Sequence, residues 1–135
     1  MSLFGSIAIS GTGIDAAQTW IDTSAGNIAN MNDAAPTSGP AYQEQTPVLV
    51  PAGAAPGAPG EGVAVAGVQL GSAAGRLVYD PTNPLADAQG MVRYPAVDLG
   101  TQLVDLVEAQ NDYEANAAAI ARAKAAYQSA LTLGS

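Results

Sequence analysis

The sequence contains no cysteine and no histidine. The first absence excludes disulfides, thiolate chemistry and cysteine-based zinc sites, and the second removes the commonest general base of enzyme sites. Cationic residues are scarce: Arg76, Arg93, Arg122 and Lys124 stand against 12 acidic residues, for a net charge of -8. So small a set cannot neutralise a row of phosphates, and nucleic acid is not an expected partner. The same acidity argues against direct binding to anionic lipid, and no apolar run approaches the roughly 20 residues that cross a bilayer. The opening MSLFGSIAISGTG carries no basic residue and is interrupted by Gly and Ser, so it does not read as a cleavable signal. One Phe and one Trp leave few heavy apolar anchors, and much of the 48% hydrophobic content is alanine. The 135-residue chain should therefore bury less than its length suggests, and its monomer is expected to be marginally stable.

Proline placement divides what is present. All nine prolines lie between Pro36 and Pro95, and proline breaks helix interiors, so two proline-free terminal helices should flank an irregular middle. In the first, Ile7, Ile14, Ile21 and Ile28 recur at a seven-residue spacing, with Ser10, Ala17, Ser24 and Met31 offset by three. This is an a/d seam with small residues at d. Gly5, Gly11, Gly13 and Gly26 lower its helix propensity, so it needs a partner to fold. In the second, Leu103, Leu106, Gln110, Tyr113, Ala117, Ile120, Lys124, Tyr127 and Leu131 step by three and four. Acidic residues gather in its N-terminal half and Arg122 and Lys124 follow, which suits the helix dipole. Gln110 and Lys124 at seam positions are expected to set register or to face partner chains.

The reading is of a mainly α chain with a small β insert. An N-terminal helix occupies 1–35, a Pro/Gly-rich hairpin and loop region 36–96, and a C-terminal helix 97–135, with the two helices packed as a long pair. Short β signals fall at Val48 to Val50, Val63 to Leu70, Leu77 to Tyr79 and Met91 to Tyr94, enough for one or two hairpins. PAGAAPGAPGEG, 51–62, has linker composition and should form a flexible loop tip.

The candidate chemistry is thin. Asp80, Asn83 and Asp87 do not have EF-hand spacing and read as turn residues. Asp105 with Glu108 could be nominated as an acid/base pair, but an exposed helix face provides no desolvated pocket to split their pKa values. No catalytic residue, cofactor or metal is expected. NIANMND, 27–33, reads by itself as a helix end at which Asn could adopt the left-handed conformation. YEAN, 113–116, reads by itself as a packed Tyr with solvated neighbours.

Taken together and in order, MSLF, NIANMN, LVYDP, NPLAD, Gly90, YPAVD and YEAN resemble the flagellar axial proteins of rod and hook, and within that family the proximal rod subunits. The resemblance runs nearly end to end. It implies an antiparallel helical hairpin lining the axis of a helical assembly, a β-containing insert, and export in an unfolded state through the flagellar type III apparatus. Localisation would be the basal-body rod within the cell envelope, in the periplasm. Partners would be further copies, neighbouring rod proteins and the basal-body base. The residues it marks are interfacial: Asn27, Ile28, Ala29, Asn30 and Asn32 at the first helix end, and Tyr113, Glu114, Ala115 and Asn116 in the second helix. Joined with the periodic positions Ile7, Ile14, Ile21, Leu103, Leu106, Ile120, Tyr127 and Leu131, they form the expected contact set between helices and between subunits. Tyr79, Asp80, Pro81, Pro84, Tyr94 and Pro95 form the expected turn block of the insert. Gly26, Asp33 and the Ala/Gly/Pro-rich tip depart from the family's pattern, which leaves contacts specific to the insert open. The rival readings are a different axial subunit, a soluble coiled-coil adaptor, and, weakest, an acidic-residue hydrolase.

Overall fold

A computed structural model describes residues 3–53 and 60–133. Helix α1 (Leu3–Asn30) is followed by strands β1 (Gln45–Pro51), β2 (Val63–Leu70), β3 (Arg76–Tyr79) and β4 (Met91–Tyr94), and helix α2 (Leu99–Leu133) ends the described chain. The architecture is the expected one, mainly helical with a small antiparallel β region between two long helices. At about 1.5 Å per residue, the 28 residues of α1 and 35 of α2 extend about 42 and 52 Å.

The helices run antiparallel. Asn27 meets Gln102, and Gly13 meets Asn116 fourteen residues away along each helix. At the far end the Phe4 and Tyr127 rings meet edge to face, 5.7 Å apart. The buried residues of α1 are Ala16, Ala17, Thr23, Ser24 and Asn27, while all four heptad isoleucines are only half-buried at the flanks. Small side chains let the backbones close in, and the thin layer between them leaves the isoleucines at its margins. Gly13 shows how close the approach is: a Cβ there would lie 2.7 Å from the Asn116 amide.

On α2 the buried positions are Gln102 and Ala109, with Asp105, Leu106, Asn116, Ala117, Ala118, Ile120 and Ala123 half-buried. Relative to the expected stripe, Leu106, Ala117 and Ile120 stay half-buried on the α1 side, and the exposed rings of Tyr113 and Tyr127 still border α1, the first beside Gln18 and Ile21 and the second against Phe4. Leu103, Gln110 and Lys124 are exposed, and the residue preceding each of them turns inward instead. Hydrophobicity alone favours Leu103, but the seam selects what fits a small-residue groove and satisfies Asn27, which is Gln102.

Strands β1 and β2 pair antiparallel from Gln45↔Leu70 to Pro51↔Val63, with a bulge where Val48 faces Gly67 and Leu49 faces Val65, leaving Ala66 unmatched. The hairpin lies along α1, tied at one end by Asn27 to Gln45 and at the other by Thr12 to Val63. The lengths are similar: the fifteen helical steps from Thr12 to Asn27 rise about 22 Å, and the six strand steps from Gln45 to Pro51, opposite Val63, cover about 20 Å. Beyond the strands, Ala52 N–H donates to Gly62 O at 2.9 Å. Of the expected 51–62 loop tip, residues 54–59 lie outside the described residues.

The second hairpin pairs Arg76↔Tyr94 through Tyr79↔Met91, with Val92 fully buried. Asp98 accepts from Thr101 N–H at 2.7 Å and from its hydroxyl at 3.0 Å, capping α2. At the other junction the expectation of a left-handed Asn is corrected. Helix α1 continues to Asn30 and leaves through Asp33 N–H to Asn30 O, and every described residue with positive φ is glycine. Asn27 serves a cross-element contact instead, and Asn30 returns its amide to Gly26 O at 2.8 Å.

Candidate assembly interface

Where α1, α2 and the start of β1 converge, Asn27 uses its whole side-chain amide. Its Nδ2 donates to Gln45 O at 2.8 Å and to Gln102 Oε1 at 2.9 Å, and its Oδ1 accepts from Gln45 N–H at 2.8 Å and from Tyr42 Oη at 3.0 Å. Gln102 Nε2 in turn donates to Glu44 Oε1. Asn27 and Gln102 are 1% and 2% exposed, so the bond between them is shielded from water, and those to Tyr42, Glu44 and Gln45 are partly shielded. Burial raises the Tyr42 phenol above its ordinary pKa, which keeps it a donor here. A polar cluster this enclosed tolerates one registration of the three segments, because any slip strands a buried amide.

The turn block is equally committed. Asp87 Oδ1 accepts from Gln89 N–H and Met91 N–H, both at 2.9 Å, and Oδ2 accepts from the Thr37 hydroxyl at 3.0 Å. The Met91 bond leads in holding its pKa below the ordinary 3.8. Asp80 takes the Thr82 hydroxyl and the Asn83 amide. Arg93 exchanges backbone bonds with Ala35 and sends its guanidinium to Thr37 O and Ala74 O. Arg76 lies over the Tyr94 ring. Gly90, at φ +75°, returns the chain under Tyr79, whose ring would sit 2.8 Å from any Cβ. Carboxylates occupied in this way form turns.

The surface is the unusual part. Leu99, Leu103, Val104 and Val107 are 41–64% exposed on the side of α2 that faces away from α1, and Leu103, Val104 and Val107 line an open groove with Glu108 and Asn111. Val48, Val50, Val65, Val68 and Leu70 stand 38–55% exposed on the first hairpin. Exposed apolar area on two faces is extensive for so small a chain. Among the described residues no helix is long and apolar enough to cross a membrane.

The structure separates the expected contact residues into groups. Asn27, Leu106, Asn116, Ile120 and the four isoleucines lie at the helix pair. Asn32, Leu103, Tyr113, Glu114 and Leu131 are exposed, and Tyr127 reaches Phe4 while remaining 43% exposed. In the turn block Pro95 is buried, Asp80 and Tyr94 are half-buried, and Tyr79, Pro81 and Pro84 are outside. Gln102, Thr12 and Gly13 were not foreseen. Gln102 has no local signature, since its burial follows from Asn27, 75 residues away. Gly13 reads in sequence only as a helix weakener.

The family model described as flagellar basal body rod FlgEFG protein C-terminal matches residues 88–133. Flagellar basal-body rod protein FlgC of Escherichia coli O6:H1 is 36% identical over 134 residues, covering 99% of each chain. FlgC of Yersinia enterocolitica is also 36% identical over 134 residues at the same coverage, and FlgC of Borreliella burgdorferi is 32% identical over 149 aligned residues and 98% of each chain.

Proposed function

Because the chain belongs to the FlgC family of flagellar basal-body rod proteins and is a structural subunit of that rod, we propose that its helix pair polymerises as a segment of the axial shaft. In this reading the shaft carries motor torque outward and encloses the channel through which later subunits pass. The subunit reaches the periplasm unfolded through the type III export apparatus and performs no catalysis. The observation that carries the reading is the apolar stripe Leu99, Leu103, Val104 and Val107, held outward by a polar seam that admits no other registration of α2. A thin core of Ala, Ser and Gly suits a chain that must unfold to be exported. The contact residues Ile7, Ile14, Ile21, Ile28, Asn30, Asn32 and Glu114 are read as lying along the helix pair and its neighbours. Asp80, Asp87 and Asp98 spend their oxygens on turns and a cap, which leaves little for acid/base work.

The test is Val104→Asp with Val107→Asp. Both side chains already face solvent in the monomer, so the purified variant should keep wild-type circular dichroism and unfolding. Cells carrying it should lack complete rods by electron microscopy and fail to swim. Normal rods and motility in this double variant would refute the role given to the stripe.

A further inference from the structure

Glu44, Asp80, Asp87 and Asp105 are the half-buried carboxylates among the described residues, and the first three are already employed. Glu44 accepts from Gln102, Asp80 from Thr82 and Asn83, and Asp87 from Thr37, Gln89 and Met91. Asp105 has no hydrogen bond or ion pair with any described residue. It lines a cavity of about 150 Å³ between α1, β1 and α2, together with Trp20, Thr46, Pro47 and Leu49. Small-molecule sites run from roughly 300 Å³ upward, so this one has room for the head of a single side chain and not for a metabolite. Asp112, one heptad on, falls within about 20° of Asp105 around α2 and adds to the negative potential there.

We infer that the cavity receives an arginine side chain from another protein. An indole face attracts a guanidinium, a carboxylate binds it through two parallel N–H donors, and Pro47 and Leu49 offer apolar surface to its methylene stem. Lysine shares the charge but lacks the planar fork. The chain's own cations do not fill the space. Arg76 lies over Tyr94, and Arg93 donates to Thr37 O and Ala74 O. Arg122 and Lys124 stand at least about 25 Å beyond Asp105 along the same helix. A second copy would bring a further charge of -8 to an acidic surface, so the arginine is assigned to a different chain. The inference stands on the cavity and does not depend on the rod reading.

Trp20 reports on its own surroundings, because no other tryptophan contributes to the fluorescence. The purified full-length chain is titrated at low ionic strength with acetyl-Gly-Arg-Gly-amide, and with the same peptide carrying citrulline, which keeps the shape and removes the charge. The arginine peptide should change Trp20 emission saturably, and the citrulline peptide should bind about tenfold more weakly, the scale of a charge-assisted hydrogen bond. Asp105→Asn should weaken the arginine peptide by a similar factor. Glu114→Gln removes an equal charge from an exposed position on the other side of α2 and should change binding less than about twofold. No saturable change, equal binding of the two peptides, or equal weakening by the two substitutions overturns the inference. A Trp20 signal that follows protein concentration and is lost in Arg122→Gln overturns the assignment to a different chain and puts a second copy there. Each of these outcomes leaves the rod reading standing, since that reading fails through Val104→Asp with Val107→Asp instead.

Discussion

Asn27 and Gln102, 75 positions apart, share a hydrogen bond of 2.9 Å inside the helix pair, and neither retains appreciable contact with water. Asn27 also holds both backbone groups of Gln45, so one side chain fixes α1, α2 and the first hairpin at a single point.

Replacing that side chain should be costly. Asn27→Ala leaves the buried Gln102 Oε1 and both half-buried backbone groups of Gln45 without their partner, and about 3 kcal/mol of unfolding free energy should be lost in urea titration. Asn30→Ala, which removes one local bond to Gly26 O, should cost under about 1 kcal/mol. Equal losses from the two would show that the cluster has no special weight.

Two glycines of α1 should respond in opposite directions. A β-methyl added at Gly11 would meet nothing within 4 Å, so Gly11→Ala should stabilise by about 0.7 kcal/mol through helix propensity. Gly13→Ala gains the same propensity but drives a methyl to 2.7 Å from the Asn116 amide, and it should destabilise. Adding Asn116→Ala should reverse that sign, and a thermodynamic cycle of the four proteins measures the coupling.

Stability should fall in acid. The Asp87 and Asp98 carboxyls are held below their ordinary 3.8, led by the Met91 backbone bond for the first and the Thr101 backbone bond for the second. A depressed pKa contributes stability that is complete above the unfolded value and disappears as pH drops through the folded one. The melting temperature should therefore decline below about pH 4, less steeply in Asp98→Asn. Tyr42, raised by burial, adds an alkaline limb: its contribution is complete below 10 and lost as pH climbs through its folded value, and Tyr42→Phe should flatten that limb.

Thr12 should secure the far end of the first hairpin. Its hydroxyl accepts from Val63 N–H at 3.0 Å while donating to Ile9 O at 2.7 Å. Thr12→Val keeps the shape and removes both bonds, at a cost of about 1 kcal/mol, with faster hydrogen exchange at Val63 as the local signature. Unchanged exchange there would argue that the hairpin lies on α1 through side-chain packing alone.

The helices and strands were legible in the sequence because their signals are local. Proline confined to 36–95 left both ends free to coil, and alternating valines around 63–70 marked a strand whose pairing follows from its nearest β neighbour. The ordered blocks from NIAN to YEAN carried the family. What sequence periodicity put out of place was half of the α2 seam, where Leu103 and Gln110 matched the repeat better than Gln102 and Ala109.

That difference has a physical cause. Hydrophobic spacing reports which residues prefer to leave water, and it determined two helices, their amphipathic character and a β insert. Which face of α2 turns inward was decided only when three distant segments met, because a buried amide with four partners excludes neighbouring registrations and a glycine-lined groove excludes bulk. Leu103 was left on the outer surface beside Val104 and Val107, and that exposed apolar face is where it is because of a polar contact that no local stretch of sequence encodes.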